Sequence, residues 1–355
     1  MNLKSFVLGT KVAGGGGGIT PTGTINITQN GETDITNYAT ANVNVQPDLE
    51  SKNITITSNT TTLVQPTQGK DGLSSVSITT NISDTSWRVP NGTKFQRSSW
   101  NNLPTLDTSN VTDFSYMFAN LPNVTSISGI NTSNGTNFNN MFYNSSSITS
   151  VSGIDTSKAT NMVEMFSGCI ALSSLPTLDA SRTTSLNGAF INCRNITTIP
   201  FSSAPLCTNF GSCFSNCVSL TNVDFSNYQF ATNINNLSYM FQNCTNLEEV
   251  NLSSINQGGW NCQLNGVFAV CTKLKKVNLS NFAPTSYNSL TNMFGGCTAL
   301  EEIDISSMDF SNIGSWTSGM FTGVPDNCLI YVKDQTAKTW IETNYSNLTN
   351  VQIKA

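Results

Sequence analysis

The sequence has no histidine, and only 10% of its residues are charged. Without histidine, neither a Ser-His-Asp nor a Cys-His catalytic site can be built, and a zinc site would depend on other ligands. The 16 basic and 21 acidic residues give a net charge of −5, which provides no basic surface for phosphates. No apolar run approaches the roughly 18 residues of a membrane-spanning helix. We therefore expect no nucleic-acid partner, no membrane span, no cofactor and no metal.

The chain is rich instead in uncharged polar residues, and it contains a repeat. Ser, Thr, Asn and Gln make up about 42% of the residues, a composition usual for extracellular or virion β proteins. A Met-Phe pair, or a variant of it, occurs nine times, with successive phenylalanines 24, 24, 24, 24, 27, 27, 26 and 27 residues apart. So even a period predicts a solenoid whose neighbouring repeats share one core. The nine phenylalanines are Phe118, Phe142, Phe166, Phe190, Phe214, Phe241, Phe268, Phe294 and Phe321.

Each repeat, or rung, carries two apolar patterns. With the phenylalanine as position 0, apolar residues at −4, −1, 0 and +3 follow the spacing of a short amphipathic helix. Apolar residues at +9 and, in the later rungs, +11 alternate as they do in a strand. We therefore predict a repeat solenoid of the α/β type, with a helix of about two turns and a short strand per rung, preceded by small all-β modules. The longer rungs add an apolar column at +14, formed by Tyr228, Ile255, Phe282 and Met308.

The repeat resembles a known family. Segments such as Leu106 to Asp113 and Ser238 to Cys244 are similar to the BspA-type leucine-rich repeats of bacterial surface proteins. The resemblance extends over about residues 100 to 325 and implies a leucine-rich-repeat solenoid. That family is known for adhesion and protein binding rather than catalysis, and it has no shared ligand-binding motif to place on particular residues.

A β-rich region precedes the solenoid. Asn30-Gly31 between alternating segments predicts a hairpin. The stretches 23–31, 38–45 and 69–76 resemble short β modules of structural proteins from tailed bacteriophages of Gram-positive hosts. That resemblance implies assembly in the host cytoplasm, and neither a secretory signal nor a C-terminal sorting signal is apparent. The alternative is a generic β linker module.

The patterns predict four regions along the chain. Residues 1–18 form a tail and glycine linker, 19–81 two small β modules for virion attachment, 82–327 the solenoid with its N-terminal cap, and 328–355 a C-terminal cap. In the last region we predict a strand over Cys328 to Val332 and a closing strand over Val351 to Ile353. Between them, a helix over Asp334 to Thr343 has Asp334 as its N-cap.

Six of the ten cysteines occupy position +3 of their rungs, which predicts a tight core column of buried free thiols. A disulfide between neighbouring rungs and a zinc site remain as alternatives. The six are Cys169, Cys193, Cys217, Cys244, Cys271 and Cys297. The other four, Cys207, Cys213, Cys262 and Cys328, form no C-x-x-C pair.

Charged pairs recur at positions +7 and +8 of three successive rungs. The order is acidic, basic, acidic, which predicts a charge ladder across stacked strands. A carboxylate pair for glycoside hydrolysis is the alternative. The pairs are Glu248-Glu249, Lys275-Lys276 and Glu301-Glu302.

Three aromatic residues, Trp260, Tyr287 and Trp316, fall in the bends of the longer rungs, outside the apolar columns. We interpret them as anchors for a sugar or protein partner. The alternative is that they cover the edge of the core.

These observations together predict a non-enzymatic virion protein, either a tail or head fibre or a surface decoration. Its N-terminal region would bind other virion proteins, and the solenoid would bind a protein or glycan of the bacterial surface. A homo-oligomer is compatible with this prediction. The first alternative is a host-encoded adhesin on the bacterial cell surface, and the second is a polysaccharide-degrading tail spike.

Overall fold

The structure of the chain is a computed structural model. It describes Leu106 and residues 108–255, 261–284, 286–311, 313 and 317–354, and before Thr108 it otherwise gives strand positions alone. Two compact units are present: residues 1–158 with 174–176, and residues 159–173 with 177–355. The first unit contains the N-terminal strands and the first rungs, and the second contains the remaining rungs and the C-terminal cap.

In the first unit, the described positions include eleven short strands. The predicted hairpin at Asn30-Gly31 is confirmed, because the strands on its two sides pair antiparallel. Strands from both predicted β modules share one sheet in the order β3-β2-β5-β7. The domain boundaries themselves stay predictions. The strands are β1 (Val7–Gly9), β2 (Ile25–Gln29), β3 (Glu32–Ile35), β4 (Asn42–Val43), β5 (Lys52–Ser58), β6 (Leu63–Val64), β7 (Leu73–Thr80), β8 (Trp87–Arg88), β9 (Leu106–Asp107), β10 (Ser126–Ile127) and β11 (Ser150–Val151).

The second unit is built on a six-stranded parallel sheet. Its elements are β12 (Asn222–Asp224), β13 (Glu249–Asn251), β14 (Asn261–Gln263), β15 (Lys276–Asn278), β16 (Ser286–Ser289), β17 (Glu302–Asp304), β18 (Leu329–Val332), α1 (Gln335–Asn344) and β19 (Val351–Ile353). The sheet order is β12-β13-β15-β17-β18-β19, with β14 and β16 forming a second, two-stranded sheet. Equivalent rung positions lie opposite one another, as Val250 and Val277 do. The predicted solenoid is therefore confirmed.

The C-terminal cap also has the predicted elements. Strand β18 comes first, then helix α1, then strand β19. The Asp334 side chain accepts a hydrogen bond from the Ala337 N–H at 3.0 Å, which is the N-cap arrangement. Both strands pair in parallel and extend the main sheet of the second unit.

The two-turn helix predicted in each rung is wrong. These residues form consecutive tight turns, in which the Met117 N–H bonds to the Phe114 carbonyl and the Ala119 N–H to the Tyr116 carbonyl. The N–H groups in between bond to the next rung, as from Phe118 to the Met141 carbonyl at 2.8 Å. An α-helix would need those N–H groups for its own i−4 bonds. The amphipathic spacing is real, but the backbone hydrogen bonds run between rungs.

Two positions in every rung explain why no helix forms. Positions −2 and +2 have positive φ in all nine rungs, as at Tyr116 (φ 56) and Asn120 (φ 56). Left-handed residues occur singly and interrupt a right-handed helix. Asn or Gly occupies +2 in eight of the nine rungs, and these residues tolerate positive φ best. The exception is Val270, with φ 63.

The position-0 phenylalanines form the centre of the core. In the second unit seven of them stack in sequence, with ring centroids 5.4–5.9 Å apart. All seven are buried. In the first unit, Phe118 stacks on Phe142 at 5.7 Å. Each ring therefore packs mainly against the same residue of the adjacent rung, which is why one rung could not bury its face alone.

Candidate functional site

The thiols of the +3 column are buried hydrogen-bonding groups. All ten cysteines are free and buried, which confirms the prediction of buried free thiols for the six at position +3. The sequence made no prediction about the oxidation state of Cys207, Cys213, Cys262 and Cys328. In the second unit each +3 thiol from Cys193 to Cys297 donates to the carbonyl of the preceding rung's phenylalanine, at 3.0–3.1 Å. Ser145 does the same in the first unit, from its Oγ to the Phe118 carbonyl at 2.7 Å. The column is therefore part of the hydrogen bonding between rungs.

Burial makes these thiols poor nucleophiles. Desolvation raises the pKa of Cys244 to about 12, and the backbone of Cys217 opposes part of this rise. Burial likewise raises the pKa of Cys297 to about 12. Because the thiolate is the reactive and metal-binding form, neither thiol offers chemistry at neutral pH. Among the residues that the structure describes, no group of three or more Cys, Asp or Glu could hold a metal ion.

The charged pairs at +7 and +8 form a ladder on the surface. The Lys275 ammonium lies 2.8 Å from the Glu248 carboxylate, with both side chains about half exposed. On the strands, Glu249 pairs in register with Lys276, and Lys276 with Glu302. The hydrogen bond from Lys275, together with its charge, lowers the pKa of Glu248. The ladder predicted from the sequence is present.

Other carboxylates are occupied by the backbone. Several aspartates of the rungs accept an N–H from the residue two positions on, as Asp224 does from Ser226 at 2.9 Å. Asp155 and Asp179 make the same bond in their rungs. This is the Asx turn, in which a short polar side chain fixes a bend. These aspartates therefore shape the rungs.

Of the three predicted aromatic anchors, the structure describes Tyr287. Trp260 and Trp316 lie outside the described residues, so their role stays a prediction. Tyr287 is half-buried in strand β16 and lies in register with Cys262 of strand β14. Its hydroxyl accepts the Asp309 N–H at 2.8 Å. Burial raises the pKa of this phenol, and the Asp309 carboxylate adds to the rise.

Tyr287 lines a pocket between the longer rungs of the second unit. The volume of the pocket is about 260 Å³, and its walls are Ala283, Pro284, Ser286, Tyr287, Ser307, Asp309 and Lys333. The Lys333 ammonium lies 2.9 Å from the Asp309 carboxylate, and both side chains are 44% exposed. The sequence indicated Tyr287 but gave no signal for Asp309 and Lys333, because stacked rungs bring together residues 22 and 24 positions apart.

Two bonds hold the Asp309 carboxylate in place beside Lys333. Ser311 donates to one carboxylate oxygen through its backbone N–H and its hydroxyl. The bonds from Ser311, with the contribution of Lys333, lower the pKa of Asp309. The carboxylate is therefore ionised at neutral pH. The pocket thus has one fixed ion pair, one fixed phenol and two serine hydroxyls.

No helix among the described residues has the length and apolar character to cross a membrane.

Comparison with known proteins gives one family. The family described as "Mycoplasma protein of unknown function, DUF285" matches residues 88–202 and 207–329, about two thirds of the chain. Among solved structures, the chain is similar to a leucine-rich repeat protein from Eubacterium ventriosum, with 16% identity and a TM-score of 0.33. That alignment covers 77% of this chain and 92% of the other. No curated protein sequence gives a significant match.

Proposed function

Because the chain belongs to the DUF285 family and folds as a repeat solenoid, we propose that it is a non-enzymatic binding protein of the bacterial cell surface. The main support is that equivalent residues recur on the outside of successive rungs. Rows of Asn and Asp, such as Asp113 beside Asn137 with a side-chain hydrogen bond at 2.9 Å, give an extended polar surface. Solenoids use such surfaces to bind large partners.

The chemistry of the described residues agrees with binding rather than catalysis. The thiols are buried, and many aspartates are used in Asx turns. The charged pairs at +7 and +8 neutralise one another across strands, as Lys275 and Glu248 do. We propose on these grounds that the partner is a protein or glycan of another surface, which is also the activity implied by the resemblance to BspA-type repeats.

A binding experiment tests this proposal. Purified full-length chain, fluorescently labelled, is incubated with intact bacterial and animal cells, and unlabelled chain is added as competitor. We expect saturable binding to one cell type that the folded competitor displaces. The control is chain unfolded by heat, which lacks the ordered rung surface. Binding that is absent from every cell type, or equal for folded and unfolded chain, would contradict the proposal.

A virion component is the second candidate function. It is motivated by the N-terminal β modules, where the hairpin β2-β3 lies in the stretch that resembles phage structural proteins. In that case the N-terminal region would bind other virion proteins and the solenoid a bacterial surface. A hairpin is common to many β modules, however, so the cell-surface adhesin is the better supported of the two. A tail spike that degrades polysaccharide is the third proposal, and it would need a free carboxylate pair.

A further inference from the structure

The pocket beside Tyr287 has the features of a small-ligand site. Its volume of about 260 Å³ lies just below the roughly 300–1,000 Å³ of pockets for drug-sized ligands, so a ligand about the size of one sugar ring would suit it. Ala283 and Pro284 supply an apolar wall, while serine, tyrosine, aspartate and lysine side chains supply polar atoms. One apolar wall with a few convergent polar groups is the usual design of a small-molecule site.

The Lys333 ammonium and the Tyr287 hydroxyl supply hydrogen-bond donors for a ligand. The Lys333 ammonium has three donors and gives one to Asp309. The Tyr287 hydroxyl accepts the Asp309 N–H, so its own O–H can be donated to a ligand. The Asp309 carboxylate is largely used, because Ser311 and Lys333 bond to its two oxygens. A matching ligand therefore needs acceptors, and an anionic acceptor forms the strongest bond with an ammonium group.

We propose that this pocket binds one acidic sugar unit of a cell-surface glycan, with its carboxylate on Lys333 and Tyr287 and its ring against Ala283 and Pro284. The inference rests on the proposed function, since it names the ligand class of a surface-binding protein. A neutral sugar would offer Lys333 only hydroxyl oxygens, which are weaker acceptors for an ammonium group than a carboxylate is. A simple carboxylic acid would leave the apolar wall uncovered.

The test measures binding of free monosaccharides to purified full-length chain by saturation-transfer NMR or calorimetry. The ligands are glucuronate and N-acetylneuraminate, with glucose and acetate as comparisons. We expect at least one acidic sugar to bind at millimolar concentration and both comparisons to bind about tenfold more weakly or not at all. Lys333→Gln and Tyr287→Phe should each weaken the acidic sugar roughly 10- to 100-fold, the effect of losing a charged hydrogen bond.

Lys276→Gln is the matched control, since it removes the same charge from an exposed strand position that does not line the pocket. Melting curves should show that each variant folds. If Tyr287→Phe fails to fold, Lys333→Gln decides alone, because its side chain is exposed.

Three results would overturn the inference: no acidic sugar binds, glucose or acetate binds equally well, or Lys333→Gln binds like the wild type. Its failure can be distinguished from failure of the proposed function. If wild-type chain binds intact cells but no acidic sugar, only the ligand assignment is wrong. If it binds no cells at all, the surface-binding function is wrong, whatever the sugar result.

Discussion

Replacing Cys244 distinguishes a hydrogen-bonding role of the +3 column from simple space filling. Its thiol donates to the Phe214 carbonyl at 3.1 Å. In Cys244→Ala this bond is lost. The lost hydrogen bonding costs about 0.5–1.5 kcal/mol, and removing one buried group of about methylene size costs about 0.8 kcal/mol. The expected loss is therefore about 2 kcal/mol of unfolding free energy.

Two further substitutions at the same position make the test decisive. Serine keeps the donated hydrogen bond, as Ser145 does natively by donating from its Oγ to the Phe118 carbonyl at 2.7 Å. Valine keeps the apolar volume and loses the hydrogen bond. We expect Cys244→Ser to be more stable than either Cys244→Ala or Cys244→Val, with a loss below about 1 kcal/mol.

The measurement is equilibrium urea unfolding of the full chain, followed by both circular dichroism and tryptophan fluorescence. Coincident transitions are needed before midpoints are compared, because repeat proteins can unfold in parts. The reverse change, Ser145→Cys, should leave the midpoint nearly unchanged. If valine proves as stable as cysteine and serine the least stable of the three, the column is only a packing feature, and our account of it is refuted.

Three further predictions follow from the rung geometry. Val270→Asn should stabilise the chain by about 1 kcal/mol, because a β-branched residue is strained at φ 63 and Val270 is 42% exposed; a lower melting temperature would contradict this. Raising the pH should destabilise the fold, because burial raises the pKa of several thiols to about 12. The buried neutral thiols therefore contribute fully to the free energy of unfolding below about pH 9, and this contribution is lost as the pH rises toward 12. Urea midpoints that stay flat from pH 8 to about pH 11 would refute it. Lys275→Glu should lower stability at low salt and less so at high salt, whereas an equal loss at both would show that the Glu248 ion pair is not the cause.

The solenoid could be predicted because its signal is repeated many times. Each column of the core, such as position 0 or position +3, has the same kind of side chain from rung to rung. These positions are buried, which is why similar side chains recur at them. The C-terminal cap could also be predicted from the sequence, because Asp334 precedes an amphipathic segment and is of a residue type that favours the N-cap.

The turns within each rung could not be read from apolar spacing alone. An amphipathic helix and this chain of turns place the same residues inward, and they differ in where the backbone N–H groups bond. One signal was present, namely Asn or Gly at +2, of which Asn192 (φ 60) and Gly296 (φ 80) are examples. A mid-helix position with that preference in rung after rung argues against a helix.

The pocket depends on contacts between rungs that no local motif encodes. Tyr287 was recognisable as an aromatic residue in a bend. Its partners Asp309 and Lys333 lie in the next rung and at the end of strand β18, and they meet only because the rungs stack. The sequence pattern predicts the rung to which each residue belongs. It does not predict how far a residue in a bend lies from a residue of the next rung.

Immunogold electron microscopy tests the central claim, a surface location, most directly. The specimens are intact cells that produce the protein, and bacteriophage particles released from such cells, labelled with an antibody against residues 106–355. The cell-surface account predicts gold on the outer face of the cell envelope and none on particles. Gold on heads or tails of particles with unlabelled envelopes would contradict it and establish the virion component instead.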